Sequence, residues 1–243
     1  MSSVPTIFTD HRRALRVAIG LLGCLIFMLV AVGRHDEGAA PVTTLPAIGD
    51  LDATIAAWFV DIRVGALTGL FKVLNVLGGG LITIPLRAAV SIWLLIRRRF
   101  VALSAFVLTW AASEAALTTL KIFFHRGRPA GRLVDTSGFA FPSGHAVAGS
   151  ALVVALVLVF FPPGERRRKW ELLAVAFAFV MALSRVYLAA HWFSDVVTGV
   201  LLGSGIALGS AALVTEIRNV LIARGAIARP ATPPGDPLDS RLT

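Results

Sequence analysis

Charged residues are scarce: Asp, Glu, Lys and Arg make up 15% of the 243 residues, where a soluble domain carries about 25%. That shortage excludes an intrinsically disordered chain, which needs charge to stay solvated. Cysteine is nearly absent, and with Cys24 alone a secreted disulfide scaffold is excluded. Nor is there an internal repeat of fixed period. What abounds is apolar. Hydrophobic residues reach 56% and the mean hydropathy is +0.80, more than a single core of this size can bury, so the chain reads as a membrane protein.

The apolar residues gather into six stretches that approach the roughly 20 residues of a helical span. They run Ala14 to Gly33, Gly79 to Ile96, Phe100 to Leu120, Ala146 to Phe161, Leu172 to Ala190 and Trp192 to Val214. The fold class expected is all-α, a polytopic bundle of six transmembrane helices. A basic start followed by an apolar run also describes a cleaved signal peptide, the rival reading of the first stretch. The run continues past Cys24, however, which suits a span with that cysteine buried and inert. Between Arg34 and Leu70 the chain is more polar, with Leu51, Ile55, Trp58 and Phe59 near helical spacing. This predicts one amphipathic helix at the outer interface. Gly78-Gly79-Gly80 is expected to break or bend a helix.

The balance of charge, 23 basic against 14 acidic residues and +9 in all, would suggest nucleic acid in a soluble chain. Here it reads as topology. Arg12, Arg13 and Arg16, Arg97 to Arg99, Arg166 to Lys169, and Arg218, Arg224, Arg229 and Arg241 fall on one face when six spans alternate. By the positive-inside rule that face is cytoplasmic, in an inner cell membrane, with both termini inside and the other connections outside. The organisation expected is a cytoplasmic N-terminus (1–13), a six-span domain (14–225) and a disordered cytoplasmic tail (226–243) rich in Pro, Ala and Asp.

Three polar clusters fall at span ends on the outer face. Lys121, His125, Arg126 and Arg128-Pro129 leave span three; Phe141-Pro142-Ser143-Gly144-His145 opens span four; Ser184-Arg185, Tyr187 and His191-Trp192-Phe193-Ser194-Asp195 join spans five and six. Pro142 suits a first helical turn, since its missing N–H has no partner there. Converged cations bind an anion. Arg presents a planar fork to phosphate oxygens, Lys adds a point charge, and N–H groups around Ser143 and Gly144 can donate too. His191 and Asp195 are spaced i, i+4, so on a helix the carboxylate can accept the imidazole Nδ1–H and raise its basicity. A histidine so held serves as nucleophile or base, with His145 as a second titrating group. Two histidines and a carboxylate could ligate a metal, but three flanking cations make a poor pocket for a further one, so no metal and no cofactor is expected.

These clusters resemble the signatures of the type 2 phosphatidic acid phosphatase and haloperoxidase superfamily. K-x6-R-P is met by Lys121, Arg128 and Pro129; P-S-G-H by Pro142 to His145; S-R-x5-H-x3-D by Ser184, Arg185, His191 and Asp195. The resemblance implies a metal-independent phosphatase working through a phosphohistidine. His191 would attack phosphorus, Asp195 would orient it, and His145 would protonate the departing oxygen. Lys121, Arg128, Ser143, Gly144 and Arg185 would hold the phosphoryl oxygens. The expected function is hydrolysis of a lipid phosphate or pyrophosphate of the undecaprenyl pyrophosphate, phosphatidylglycerophosphate, phosphatidic acid or lipid A type. A transporter using the same cations is the alternative. The expected partners are the lipid phosphate and the bilayer, with no nucleic acid.

His125, Arg126 and Arg132 match no signature position and read as solvated or headgroup contacts, and Tyr187, Trp192 and Phe193 as interfacial belt aromatics. Arg87 and Glu114 fall inside apolar spans, about 15 Å and about 22 Å deep at 1.5 Å per residue, and are expected to pair. Glu114 could instead support the phosphate cations from beneath, with Ser184 as a further supporting residue.

Overall fold

The computed structural model describes residues 11–33 and 44–226. Residues 1–10 of the expected cytoplasmic segment and the tail from 227 on lie outside the described residues. Among the described residues eight helices follow one another: α1 (His11–Val32), α2 (Pro46–Asp61), α3 (Gly65–Leu77), α4 (Gly80–Ile96), α5 (Phe100–Phe124), α6 (Gly144–Phe160), α7 (Glu165–Tyr187) and α8 (Phe193–Ala223). Among the described residues there is no strand.

Each of the six apolar stretches is helical, but they differ in their fitness to cross a bilayer. The helices α5, α7 and α8 are long and apolar enough alone. The pair α3 and α4 passes only together, bent by 43° at their junction, and α6 and the Ile19–Val32 part of α1 are shorter. A 17-residue helix such as α4 or α6 spans about 25 Å, short of the roughly 30 Å of hydrocarbon. Among the described residues three spans, or four with the bent pair, therefore meet the criterion where six were expected. The single amphipathic helix expected between Arg34 and Leu70 is also replaced by two, α2 and α3, separated at Ile62 to Val64. Cys24, expected to be buried, is exposed on α1.

The alternation of α5, α6, α7 and α8 gathers the basic junctions at one end. Arg99, between α4 and α5, donates from Nη2 to the Val159 carbonyl at the end of α6 (3.2 Å), and Arg166 to Lys169 open α7 after that same turn. Apolar side chains such as Leu172, Val175 and Phe179 face outward, as a surface solvated by lipid allows.

The interior is organised by α8, which packs against α1, α5, α6 and α7. Its approach to α6 is close at both Gly199 and Gly203. A Cβ at Gly199 would lie 2.7 Å from the Ala146 Cβ and 2.9 Å from the Ser143 carbonyl oxygen. Glycine is what lets the two backbones meet there. On the other side Tyr187 draws α2 and α3 onto α7. Its ring meets Phe59 and Phe71 edge-on at 5.9 and 4.8 Å, and its hydroxyl bonds Thr68 and the Val64 backbone. Tyr187 is fully buried, so it is a core anchor and not a belt aromatic.

Candidate active site

The three polar clusters converge at the end of the bundle opposite the arginine-rich junctions. Lys121 and Arg185 stand in the last turns of α5 and α7, and Asp195 in the first turn of α8. The helix α5 ends where His125 takes the left-handed conformation (φ 49°). Residues 126–143 then fold back across the bundle end. Ser143 caps α6, with Pro142 ahead of the cap and outside the first turn expected for it.

His191 is buried and lies before α8, which begins at Phe193. Its Nδ1 is 2.7 Å from the Ala140 carbonyl oxygen. A carbonyl only accepts, so Nδ1 carries the proton and the lone pair resides on Nε2. Asp195 Oδ2 stands farther off, 3.5 Å from Nδ1, outside ordinary hydrogen-bond range. The i, i+4 bond expected between them gives way because His191 is not helical. Asp195 instead accepts the Trp192 backbone N–H at 2.9 Å, capping α8 in the manner of a capping-box carboxylate. Burial, the largest cause, lowers the His191 pKa to about 4. Contact with Asp195 opposes that shift, and the Arg128 and Arg185 charges reinforce it. The imidazole is therefore neutral at ordinary pH, as a nucleophile must be.

The cations are held by neutral oxygens. Lys121 and Arg128 both donate to the Phe139 carbonyl. Arg128 also bonds the Ala190 carbonyl at 2.6 Å and His191 Nε2 at 3.1 Å. Arg185 donates from Nη1 to Asn75 Oδ1 on α3, and the backbone carbonyl of that same Asn75 accepts His145 Nε2–H at 2.9 Å. Carbonyl dipoles satisfy these donors without cancelling their charge, leaving a field suited to a dianion. Ser143 Oγ and Arg185 Nε, both buried, have no hydrogen-bond partner among the described residues. Buried polar atoms are seldom left so. The room for His145 comes from the α3–α4 break, where a Cβ on Gly78 would lie 3.0 Å from the imidazole Cδ2 and 2.8 Å from Met181 Sδ.

Some expected contributors are engaged otherwise. The Ser143 N–H donates to the Asp195 carbonyl (3.1 Å), so it ties α6 to α8 and does not face the pocket, leaving the amides that follow it, from Gly144 on, as donors at the helix start. Ser184 Oγ bonds the Met181 carbonyl of its own helix at 2.6 Å. Glu114 is held by Arg87 at 2.9 Å, the pairing expected from their depth.

The residue that sequence reasoning misplaced is Arg126. It is 2% exposed, not solvated. Its Nη1 donates to Asp195 Oδ1 at 2.5 Å and to Ser194 Oγ at 2.7 Å, and its Nη2 to Asp52 Oδ2 at 2.6 Å. Asp52, on α2, is 1% exposed and had no sequence signal at all. Its Oδ1 accepts the Ser194 N–H at 2.8 Å and its Oδ2 the Ser194 hydroxyl at 2.5 Å. Asn75 was likewise missed, since nothing local marks it among apolar neighbours. Among the described residues no three His, Cys, Asp or Glu side chains gather at metal-ligand range, and both oxygens of Asp195 are already taken.

With this geometry in place, comparison with known proteins is informative. The model of the PAP2 superfamily matches residues 102–218, which span all three clusters. Phosphatidylglycerophosphatase B of Bacillus subtilis (strain 168) is 27% identical over 184 residues, covering 74% of this chain and 86% of that protein. The crystal structure of the first transmembrane PAP2 type phosphatidylglycerolphosphate phosphatase from Bacillus subtilis superimposes with a TM-score of 0.66 at 22% identity, over 84% of this chain and 96% of that one. The crystal structure of Aquifex aeolicus LpxE does so with a TM-score of 0.54 at 22% identity, over 65% and 93%.

Proposed function

We propose that the chain, whose residues 102–218 match the model of the PAP2 superfamily, is a membrane-embedded phosphatase that removes a terminal phosphate from a lipid by way of a phosphohistidine. The observation that carries this reading is the state of three side chains around the pocket. His191 has its lone pair on Nε2, turned toward Arg128, because Ala140 holds its other nitrogen, while Ser143 Oγ and Arg185 Nε have no acceptor among the described residues.

The chemistry follows from those atoms. A phosphate monoester enters among Lys121, Arg128 and Arg185, and its oxygens displace the carbonyls those cations now hold. The amides at the α6 start add donors at Gly144. Nε2 of His191 attacks phosphorus, the N–P bond forms, and the P–O bond to the lipid breaks. His145 supplies a proton to the departing oxygen. With its Nε2–H given to Asn75, Nδ1 of the neutral ring is bare, so it takes the proton of a phosphate monoanion as the substrate binds, passes that proton to the departing oxygen, and later takes one from water. That water attacks phosphorus, the N–P bond breaks, and inorganic phosphate leaves. Asp195 stabilises the positive imidazole through its charge. No step calls on a metal ion.

The site lies at the end of the bundle away from the arginine-rich junctions, so the positive-inside rule puts it on the extracytoplasmic side, with six membrane crossings and both termini cytoplasmic. The bilayer then delivers the substrate laterally. The curated relative acts, by its name, on phosphatidylglycerophosphate, which makes that lipid the first substrate to assay. Undecaprenyl pyrophosphate, phosphatidic acid and a lipid A phosphate complete the panel. The test measures phosphate released by detergent-purified protein with a chelator present. Release by the wild type, none by His191→Ala, and an acid-labile, alkali-stable phosphoenzyme are expected. Turnover that persists in His191→Ala, or that vanishes with the chelator, would overturn the mechanism.

A further inference from the structure

Two buried charged residues, Asp52 and Arg126, stand at no signature position and are used by none of the steps above. They join Asp195 in a chain of contacts, Asp52–Arg126–Asp195. We propose that Asp52 is a positioning residue for this reaction, which acts through Arg126 and Ser194 to keep the charge of Asp195 available to His191. The proposal rests on the phosphohistidine reading.

The reasoning starts from the position of Asp195. One of its oxygens is 2.5 Å from the Arg126 guanidinium and the other is 3.5 Å from His191 Nδ1. A fully buried ion pair at that distance would be electrically neutral toward the imidazole. Asp195 could then do little for the positive charge that develops when His191 bonds phosphorus. Asp52 changes the count. It engages the far side of the same guanidinium at 2.6 Å, so two carboxylates share one cation and the buried group carries a net charge of minus one. Both partners are nearly inaccessible, Asp52 at 1% and Arg126 at 2%, so water does little to screen this charge.

Geometry reinforces the charge argument. Asp52 also accepts the backbone N–H and the hydroxyl of Ser194, the residue beside Asp195 in the first turn of α8. The Arg126 guanidinium packs over the Trp192 ring, 5.7 Å to the centroid. The carboxylate of α2 thus grips the turn that carries Asp195 and follows His191. It comes from residue 52, well ahead of the residues 102–218 that match the family model, and so depends on how α2 docks against α7 and α8.

The test is a charge cycle. Wild type carries minus one in the group, Asp52→Asn carries zero, and Asp52→Asn with Arg126→Met returns it to minus one with Asp195 as the sole ion. The readouts are kcat on the lipid phosphate and inhibition by inorganic phosphate. Asp52→Asn is expected to lower kcat about tenfold or more while tightening phosphate inhibition about threefold, because a negative charge near the cations is gone. The double variant is expected to regain most of kcat and the wild-type inhibition. A merely structural role for Asp52 moves the readouts differently: kcat falls, phosphate inhibition weakens, and the double variant is worse than the single one. That pattern overturns the proposal. Should Asp52→Asn not survive purification, the double variant decides alone, kcat within about fivefold of wild type supporting the proposal and a loss beyond about tenfold refuting it. If wild type releases no phosphate from any lipid, the phosphohistidine reading has failed instead. Inorganic phosphate is then followed by its protection against thermal unfolding, where tighter binding by Asp52→Asn still reports the charge.

Discussion

Replacing Gly199 by alanine tests whether packing remote from the reacting atoms governs the chemistry. The new Cβ would stand 2.7 Å from the Ala146 Cβ and 2.9 Å from the Ser143 carbonyl oxygen, where ordinary contact begins at 3.4 Å. Relief therefore demands a separation of about 0.7 Å between α8 and the first turn of α6. Neither obstacle is the free end of a flexible side chain, so helices must move. The first turn of α6 carries Ser143, Gly144 and His145, and α8 carries Asp195 just ahead of Gly199. A misplacement of about 1 Å costs on the order of 100-fold in rate, and overpacking costs about 1–3 kcal/mol in stability. We expect Gly199→Ala to remain folded in detergent, with a modestly lowered Tm, and to lose about tenfold or more in kcat. The assay is phosphate release beside a thermal unfolding curve of the same preparation. The Ala146→Gly change should restore activity only in part, because the Ser143 carbonyl remains in the way. A Gly199→Ala enzyme with wild-type kcat would refute the claim that this approach sets the geometry of the site.

Two further outcomes follow from the ionisable groups. Since burial lowers the His191 pKa to about 4, the acid limb of kcat/KM should fall near pH 4, and a limb near 6.5 would show the imidazole to be solvated. The linked stability effect has a definite sign: between pH 6.5 and 4 the unfolded chain binds a proton that the folded chain does not, so stability is intact above 6.5 and is lost as the pH falls through 4. Removing the Glu114 charge with Glu114→Leu leaves Arg87, 3% exposed, with the Ala148 carbonyl at 3.3 Å and the Trp110 ring. Breaking a buried pair costs about 3–5 kcal/mol. Because the Glu114 side chain is 51% exposed, we expect about 1–2 kcal/mol in detergent. Arg87→Met in the same chain should return most of that in thermal unfolding, and failure to do so would argue that the two residues do not act as a pair.

The likeness to the family, the six helical stretches and the three signatures were readable because each is local. Hydrophobic runs declare themselves within some 20 residues, and Lys121, Arg128, Ser143, His145, Arg185, His191 and Asp195 stand at spacings that a chain pattern records. Even the Arg87–Glu114 pair could be anticipated, since depth along a span is a matter of counting. The His191–Asp195 bond was misjudged for a local reason of another kind. Spacing of four implies a shared face only inside a helix, and α8 starts after His191, so Ala140 takes the proton position instead.

What the sequence by itself determined is therefore the membrane setting and the inventory of candidate site residues, because hydropathy and motif spacing are properties of neighbours in the chain. Only the tertiary structure decided how those groups are held. Arg126 looked like another interfacial cation until α2 delivered Asp52 to it from 74 residues away, and Asn75 looked like an isolated amide until α3 brought it to Arg185 and His145. Tyr187 passed for a belt aromatic until α2 and α3 closed over it. A buried charge must find its partner wherever the packing puts one, and that choice belongs to the docking of helices distant in the chain.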